Sequence, residues 1–446
     1  MLLSSQMEAV GHAPQMAIRK PFLHCLHLRN VRCFELLRID FISGPDATPR
    51  IFTLLLGDNN AGKTTILQAI ALATAGPDAF IELLGERPEA WIRHDAAAAG
   101  IEIHLLAPDG QPFSLTIEIV RGHSVSQAYD HNRHAMERFA QWVRADPGHF
   151  FTSGYGVSRR LSPNPLGAGD RLLSFKQMRS QRVATLFSAD ALLRPPQKVA
   201  IDLAGLDPNL GRQAFAKAFQ GVLQGLTYQT VDRENYDLIF TDGDQRPWRL
   251  SQLGAGMQNV VAWWGDLFHH LCAINPAAAL EKPDYSPLTL PGLLLLDEMD
   301  LHLHPTWQRG LRRFLRARLP NLQIVATSHS PFVVQSLEKN ELICLDPGVD
   351  PENPYADKSI EDIAMNLMGI EVPQRSERFQ QMMETAERYY LLLQQAKKAQ
   401  PEELRDLKAR LDALALPYSD NVAYHTFLRM EQETSGIPWP QGRENA

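Results

Sequence analysis

The chain has 446 residues, of which 44% are hydrophobic and 21% are charged, and its formal net charge is −7. This composition is typical of a globular protein and excludes a chain that is disordered throughout. No apolar run approaches the ~20 residues that a membrane-spanning helix needs, so we expect a cytoplasmic protein with no membrane partner. The four cysteines are far apart, which indicates reduced thiols rather than a disulfide framework.

The pattern of apolar residues predicts strands and helices in alternation, without internal repeats. Residues 1–21 carry little pattern and are predicted to form a flexible leader. Strands are predicted at 23–28, 36–41, 51–56, 101–106, 113–120, 236–240, 248–250, 293–296 and 323–327. Helices are predicted at 64–73, 214–226, 256–274, 305–318, 375–396 and 402–414.

A glycine-rich turn between a strand and a helix predicts a phosphate-binding loop. Its pattern, G-x-x-x-x-G-K-[ST], consists of Gly57, Asp58, Asn59, Asn60, Ala61, Gly62, Lys63 and Thr64, and Thr65 follows it. The glycines let backbone N–H groups surround phosphate oxygens at the positive end of a helix. In such a loop Lys63 bridges the β- and γ-phosphates of ATP, and the Thr64 hydroxyl holds Mg²⁺.

Two adjacent carboxylates follow the most apolar stretch of the chain. Residues 293–296 are four leucines, and Asp297 and Glu298 come directly after them. Because like charges repel, two acids beside a nucleotide need a metal ion between them. We therefore predict that Asp297 is a second Mg²⁺ ligand and that Glu298 polarises the attacking water.

Three further segments carry residues suited to phosphate contact. His329 follows a predicted strand and could reach a γ-phosphate, although a single histidine is more often structural. Asp300 lies just after the acid pair, and Ser251, Gly254 and Gly256 open a predicted helix whose amides could bind an anion. No third ligand at a suitable spacing completes a metal site with the other histidine candidates, His302, His304 and His425.

In this order the motifs resemble an ATP-binding-cassette (AAA family) ATPase of the RecF/SMC type, over roughly residues 22–345. By this resemblance, residues 57–64 are the Walker A loop and residues 293–298 are the Walker B strand. Asp300 lies in the D-loop, and His329 is the switch histidine. Residues 28–34 resemble the opening segment of the family, whose basic residues approach the nucleotide, and from this segment we expect Arg29 and Asn30 in the site.

The resemblance implies an α/β fold, an ABC-type P-loop ATPase head with a mixed or parallel sheet. An insertion at about 76–245 is expected to form a lid region, and residues 346–446 a C-terminal helical element. The signature segment departs from the usual pattern and resembles a variant in ATPases of the overcoming-lysogenization-defect class. We expect Ser251 and the amides near Gly254 and Gly256 to contact the nucleotide of a second subunit, in a homodimer or higher oligomer.

The lack of long heptad stretches separates this chain from SMC proteins. With the segment GYGVSR at 154–159 and the pattern D-E-x-D-x-H-x-H-P at 297–305, it is similar to the compact ATPases of bacterial anti-phage defence systems such as Septu and PARIS, in which the ATPase works with a separate effector. A separate nuclease or toxin partner is therefore implied. A RecF-like repair or maintenance ATPase that binds DNA directly stays open as the alternative. With no Toprim-like acid set and no H-N-H cluster, the C-terminal region is predicted not to be a nuclease.

Two groups of basic residues could contact DNA or RNA. Segment 155–198 has a net charge of +6, from Arg159, Arg160, Arg171, Lys176, Arg179, Arg182, Arg194 and Lys198 against Asp170 and Asp190. For this segment, contact with nucleic-acid phosphates and pairing with acidic side chains are equally supported by the sequence. The second group is at helical spacing, and pairing or solvation is favoured for its members, Arg309, Arg312, Arg313 and Arg316.

Overall fold

The computed structural model describes residues 21–44, 48–107, 110–145, 150–161, 178–274, 286–346, 355, 358–369, 381, 384–385, 388 and 401–415. The predicted leader, apart from residue 21, lies outside these ranges. The chain divides into two compact units, the first ending at Ile363 and the second covering Ala364–Ala446. The first unit therefore extends beyond the boundary at residue 345 that the motifs indicate.

The described strands and helices are numbered here in chain order. The strands are β1 Phe22–Val31, β2 Phe34–Asp40, β3 Ile42–Ser43, β4 Thr48–Pro49, β5 Phe52–Leu56, β6 Ala98–Leu106, β7 Pro112–Val120, β8 Phe151–Tyr155, β9 Arg160–Leu161, β10 Leu192–Leu193, β11 Thr227–Asp232, β12 Asp237–Thr241, β13 Pro247–Arg249, β14 Gly292–Leu296, β15 Leu322–Thr327 and β16 Leu342–Cys344. The helices are α1 Lys63–Thr74, α2 Pro77–Leu84, α3 Val125–Ala145, α4 Met178–Gln181, α5 Ala184–Phe187, α6 Pro196–Leu206, α7 Pro208–Phe219, α8 Ala255–Cys272, α9 Pro305–Arg318, α10 Pro331–Gln335, α11 Ile360–Asn366 and α12 Pro401–Ala415.

A five-stranded parallel sheet forms the centre of the first unit, in the order β16-β5-β15-β14-β8. Every residue of β5, β14, β15 and β8 is buried. Strands of a parallel sheet are covered on both faces, which is why the leucines of β14 form a continuous apolar run. The carboxyl ends of parallel strands share one edge of the sheet, so the residues that follow β5, β14 and β15 are brought together there.

A second sheet is antiparallel and has the order β2-β1-β6-β7. Its strand β6 alternates buried and half-buried side chains, with Ile101, Ile103 and Leu105 in the core and Glu102 and His104 on the opposite face. This is the period of two that a sheet covered on one side requires. Helix α1 belongs to the same core, and all of its residues except Thr64 are buried.

The expected insertion at 76–245 is only partly separate from the two sheets, which corrects its extent. Strands β6 and β7 complete the antiparallel sheet, and β8 is an edge strand of the parallel sheet. Helices α2 and α3 contribute side chains to the core beneath the antiparallel sheet. The part after β10 contains α6, α7 and a three-stranded antiparallel sheet, β11-β12-β13. This part leads directly into α8, the helix of the signature segment.

The buried side chain of Gln323 on β15 joins the two sheets. Its amide oxygen accepts a hydrogen bond of 2.7 Å from the Leu23 N–H of β1. Its amide nitrogen donates to the Leu23 carbonyl at 3.0 Å and to the Arg50 carbonyl at 3.1 Å. A polar side chain that is 2% exposed thus satisfies backbone groups that β1 leaves unpaired where it meets the parallel sheet.

Most predicted elements are confirmed within one to three residues at each end, and the helix at 305–318 coincides with α9. The helix predicted at 214–226 is wrong in position, because α7 spans Pro208–Phe219. The patterns missed α3, α6 and β8. The helix predicted at 375–396 falls almost wholly outside the described residues. Among the helices that are described, none has the length and apolarity needed to cross a bilayer.

Gln323→Ala is expected to lower the free energy of unfolding by about 2–4 kcal/mol, because it leaves buried backbone groups of Leu23 and Arg50 without partners. Urea denaturation followed by tryptophan fluorescence measures the loss. Gln220→Ala, which changes an exposed glutamine, is the matched control and should stay within about 0.5 kcal/mol of the wild type. Equal effects of the two substitutions would contradict the role given to Gln323.

Candidate nucleotide-binding site

A cleft of about 320 Å³ lies at the carboxyl edge of the parallel sheet, between the loop after β5 and the segments after β14 and β15. Nine of the predicted residues line it: Asn59, Asn60, Gly62, Lys63, Thr64, Thr65, Asp297, Glu298 and His329. Arg32 and Cys33, which belong to the opening segment 28–34 but were not among the predicted site residues, also line it. Residues far apart in the sequence therefore share one surface.

The loop between β5 and α1 is tightly curved. Asn60 and Gly62 have positive φ angles of 70° and 89°. A Cβ atom at Gly62 would clash with the side chains of Phe34 and Cys33, so both the angle and the space require glycine there. Tight curvature of this kind is typical of anion-binding loops. Within the loop the Ala61 N–H donates to the Asp58 carbonyl at 3.1 Å, and the Asp58 N–H donates to the Asp346 carboxylate at 3.0 Å.

Lys63 is held against its own loop. Its ammonium group donates to the carbonyls of Gly57 at 2.6 Å and of Asp58 at 2.9 Å. Burial lowers the pKa of Lys63, and the carboxylates nearby, Asp297 first among them, act in the opposite direction. Gly57 and Asp58 thus contribute to the site through their backbone carbonyls, although Gly57, Asp58 and Ala61 are not among the residues that line the cleft.

One hydrogen bond connects the loop to the acid pair. The Thr64 hydroxyl donates to a carboxylate oxygen of Asp297 at 2.7 Å. The other carboxylate oxygen accepts from the Thr327 hydroxyl at the end of β15, also at 2.7 Å. The same Thr327 oxygen accepts the Glu298 N–H at 2.7 Å. The ends of α1, β14 and β15 are therefore held in one network.

The chemistry of this network fits Mg²⁺. Hard divalent cations take hydroxyl and carboxylate oxygens as ligands, and Thr64 and Asp297 supply one of each within contact distance. Asp297 is 4% exposed, so its negative charge is partly removed from water beside the cleft. The site also has Lys63 as a positive group, which suits the polyphosphate of a nucleotide.

Glu298 and His329 face the cleft from the ends of two strands. Glu298 is half-buried and has a φ angle of 45°, a conformation that residues other than glycine, asparagine and aspartate seldom adopt. Such local strain persists only where surrounding contacts hold it. His329 is exposed, between the buried residues Ser328 and Ser330. A carboxylate and an imidazole therefore border the space next to Lys63 and Thr64.

Arg159 supplies the contacts that hold the backbone of the acid pair. Its guanidinium donates to the carbonyls of Asp297 at 2.6 Å and Glu298 at 3.0 Å, and also to that of Gly156 at 3.0 Å. The side chain is 6% exposed, and this desolvation lowers the pKa of Arg159 to about 10. The sequence places Arg159 in a basic segment and at the end of the segment 154–159, but neither pattern predicts its contact with the acid pair.

The opening segment approaches the cleft through Arg32 instead of Arg29 or Asn30, which corrects the expectation for that segment. Arg29 is exposed and lies 3.7 Å from Glu118 on the antiparallel sheet. The Asn30 carbonyl accepts the N–H of Arg93 at 2.9 Å. Arg32 hydrogen-bonds Gln68 and Thr65, and its guanidinium lies 4.3 Å from the centre of the Trp91 ring.

The signature residues do not line the cleft of their own chain. Ser251 donates to the Asp237 carboxylate at 2.6 Å, and Gly254 is the exposed N-cap of α8. A Cβ atom at Gly256 would clash with the carbonyl of His302, so the start of α8 packs directly on the segment after the acid pair. Asp300 does not line the cleft either, and one of its carboxylate oxygens is buried without a hydrogen-bond partner.

Most described arginines of the two basic groups are engaged within the chain. In segment 155–198, Arg182 is buried over Phe151 and Arg160 lies 3.9 Å from Asp190. Arg171, Lys176 and Asp170 fall outside the described residues. In the second group, Arg312 pairs with Glu338 and Glu341 at 2.7 Å each. The interpretation of the second group as paired side chains is confirmed for Arg312.

Two family models match parts of this chain. One, "AAA domain, putative AbiEii toxin, Type IV TA system", matches residues 229–335, and another, "AAA domain", matches residues 25–106. The first range contains the signature segment, the acid pair and His329, and the second contains the phosphate-binding loop. The two ranges thus coincide with the two halves of the cleft.

Individual proteins resemble this chain over parts of their length. The Septu protein PtuA of Bacillus mycoides (strain KBAB4) is 24% identical over 400 residues, which cover 88% of this chain and 51% of that protein. That of Bacillus thuringiensis is 35% identical over 173 residues, 38% of this chain and 42% of that protein. The "Retron Ec83 probable ATPase" of Escherichia coli is 30% identical over 131 residues, 29% of this chain and 23% of that protein.

This chain spans about half the length of the first of these relatives and less of the other two. Among solved structures, the "SMC head domain from Thermotoga maritima" aligns with 15% identity and a TM-score of 0.36, over 72% of this chain and 94% of that one. The expected resemblance to AAA-type ATPases of the Septu kind is confirmed by the sequence matches. The match to the retron ATPase is a further resemblance that the motifs did not predict.

Arg159→Ala is expected to lower the free energy of unfolding by about 2–4 kcal/mol, because the carbonyls of Gly156, Asp297 and Glu298 lose a buried charged donor. Arg160→Ala is the matched control, since Arg160 is the exposed neighbour with one long ion pair. Urea denaturation compares the two variants. A loss at Arg159 no larger than that at Arg160 would show that the acid pair is held by other contacts.

Proposed function

We propose that this chain binds ATP with Mg²⁺ and hydrolyses it to ADP and phosphate. The observation that carries the proposal is the 2.7 Å contact between the Thr64 hydroxyl and the Asp297 carboxylate. It brings the end of the phosphate-binding loop and the end of the acid strand to one point. A chance glycine-lysine turn would have no reason to meet a buried carboxylate 233 residues further along the chain.

Each residue of the cleft has a separate role in phosphoryl transfer. The loop amides and Lys63 bind the phosphates, and Arg32 lies beside Thr65 where it adds positive charge. Thr64 and Asp297 would hold Mg²⁺, which when bound neutralises charge on the β- and γ-phosphates. Glu298 orients the attacking water and accepts its proton, and His329 contacts the γ-phosphate from the end of β15. Catalysis in this scheme is positioning and charge neutralisation.

The second part of the proposal is a dimer in which each ATP lies between two chains. Ser251 and Gly254 are exposed, and neither is among the residues that line the cleft of their own chain. The N-terminus of α8 offers free amides and a partial positive charge. In a head-to-tail dimer this helix end would reach the γ-phosphate bound to the partner's loop, and Asp300 would lie near the interface.

For the biological role we propose control of a separate effector, a nuclease or a toxin, in an anti-phage defence system. The resemblance to Septu protein PtuA and to retron ATPases supports this role. Direct DNA binding by segment 155–198, as in a RecF-like ATPase, is less well supported. Of its described arginines, Arg159 and Arg182 are buried and Arg160 has an acidic neighbour.

Glu298→Gln is expected to lower ATP turnover by about 100-fold or more while ATP still binds, because the base that orients water is lost. Lys63→Ala should remove ATP binding itself. Phosphate release measures turnover, and a fluorescent ATP analogue measures binding. Glu82→Gln and Lys339→Ala, which change exposed residues away from the cleft, should match the wild type. Undiminished turnover in Glu298→Gln would refute the assignment.

The dimer is tested by mixing two inactive variants, Lys63→Ala and Gly254→Leu. A Cβ atom at Gly254 meets no atom within 4 Å, so leucine is tolerated within one chain and blocks only an approaching partner. Each mixed dimer would have one site with both halves intact, which restores about a quarter of wild-type turnover in a random mixture. Gly243→Leu, also in open space, is the control. Full activity of Gly254→Leu, or no recovery on mixing, would exclude the head-to-tail dimer.

A further inference from the structure

The outer face of the antiparallel sheet carries two histidines and a glutamate that converge on one point. Glu102 and His104 are two residues apart on β6 and therefore share a face, and His27 of β1 lies directly opposite Glu102 in the register. Each residue offers one possible ligand atom, and the three atoms lie within 4.8 Å of one another. None of these residues lines the nucleotide cleft.

We propose that His27, Glu102 and His104 bind one divalent transition-metal ion, of which Zn²⁺ is the representative. Two imidazole nitrogens and one carboxylate form a ligand set that zinc takes in proteins. In a tetrahedral site neighbouring ligand atoms are about 3.4 Å apart, so the present separations need only small side-chain rotations. The oxygen-only site at Thr64 and Asp297 suits Mg²⁺, and the two imidazoles distinguish this second site from it.

The distances already show Glu102 between the two histidines. One of its carboxylate oxygens lies 3.1 Å from His104 Nε2, and the other lies 3.7 Å from His27 Nδ1. The two rings meet edge to face, with their centroids 5.4 Å apart. All three side chains are between 31% and 39% exposed, so an ion can enter from solvent.

Hydrogen bonding leaves the nitrogen atoms available for a metal. The Ser114 hydroxyl lies 2.8 Å from His104 Nδ1, which fixes the ring and leaves Nε2 directed at Glu102. Outer contacts of this kind are what metal-binding histidines have in known sites. In His27, Nε2 is buried and has no hydrogen-bond partner. The His27 nitrogen that lies near Glu102 is Nδ1, so Nδ1 is the ligand atom that this ring offers to the ion.

The three ligands leave a fourth position open. A cleft of about 340 Å³ lies beside the cluster and is lined by both histidines. Water fills the fourth position of a three-ligand zinc site. The ion would tie β1 to β6 five residues before Arg32, the residue of this segment that reaches the nucleotide cleft. We therefore expect a stabilising ion that is chemically separate from ATP hydrolysis.

Zinc binding by the full chain, stripped of metal with a chelator, is the first measurement. Isothermal titration with Zn²⁺ is expected to give one site per chain, and Co²⁺ is expected to give the strong visible absorption of a tetrahedral centre. Asp297→Asn, which removes the carboxylate of the nucleotide cleft, should leave this stoichiometry unchanged. Loss of the zinc site in Asp297→Asn would place the ion in the nucleotide cleft and overturn the proposal.

Substitutions of the three ligands are the second measurement. His27→Ala, His104→Ala and Glu102→Gln should each weaken Zn²⁺ binding by about 100-fold or more, and Ser114→Ala by about 10-fold through its contact with His104. His94→Ala is the control, since His94 also pairs with a carboxylate but is 98% exposed on another loop. Glu102→Gln keeps the shape of the side chain, so it stays interpretable if a histidine variant unfolds. Unchanged affinity in Glu102→Gln and His104→Ala would overturn the proposal.

Discussion

The carboxylate of Asp297 is the point on which the first unit depends. Its two oxygens accept hydrogen bonds from hydroxyls on different elements, Thr64 on α1 and Thr327 on β15. The backbone carbonyl of Asp297 accepts a hydrogen bond from Arg159, which follows β8. Side chains at the carboxyl edge of the parallel sheet, at or after the ends of β5, β15 and β8, therefore contact this one residue. A buried charge is tolerated only with such a set of partners, so the geometry of the site and the packing of the sheet edge are a single constraint.

The two sheets are joined by a different kind of contact. The side-chain amide of Gln323 on β15 hydrogen-bonds the N–H and the carbonyl of Leu23 on β1. It thus takes the place of a neighbouring strand at the junction of the two sheets. It lies on the strand that ends at Thr327, next to the network around Asp297. The strand that carries the hydroxyl thus also fixes the antiparallel sheet. The position of Arg32, just after β1, follows from the same attachment.

Contiguous motifs made the centre of the site predictable, and contacts between distant residues did not. The loop 57–64 and the pair Asp297–Glu298 are runs of contiguous residues, and the residue types alone indicate phosphate and metal binding. Arg159 and Gln323 act on backbone groups more than 100 residues away in the sequence, and no local pattern identifies such partners. Strand β8 was missed because its centre is polar. Thr152 and Ser153 are buried, and the Ser153 hydroxyl donates to the carbonyl of Arg182, so the strand lacks the apolar run of β14.

Helix α8 connects the signature segment with the end of β8. It begins beside Gly254 and carries Asp266, about 16 Å along its axis at 1.5 Å per residue. The Asp266 carboxylate accepts from the Tyr155 hydroxyl at 2.9 Å and from the Arg194 N–H at 3.0 Å, so the far part of the helix is tied to the end of β8. The start of the helix packs on the segment after the acid pair at Gly256 and His302, and the turn after β8 carries Arg159, which holds the acid pair from the other side. Helix α8 therefore links the exposed residue Gly254 to the acid pair through two separate sets of contacts.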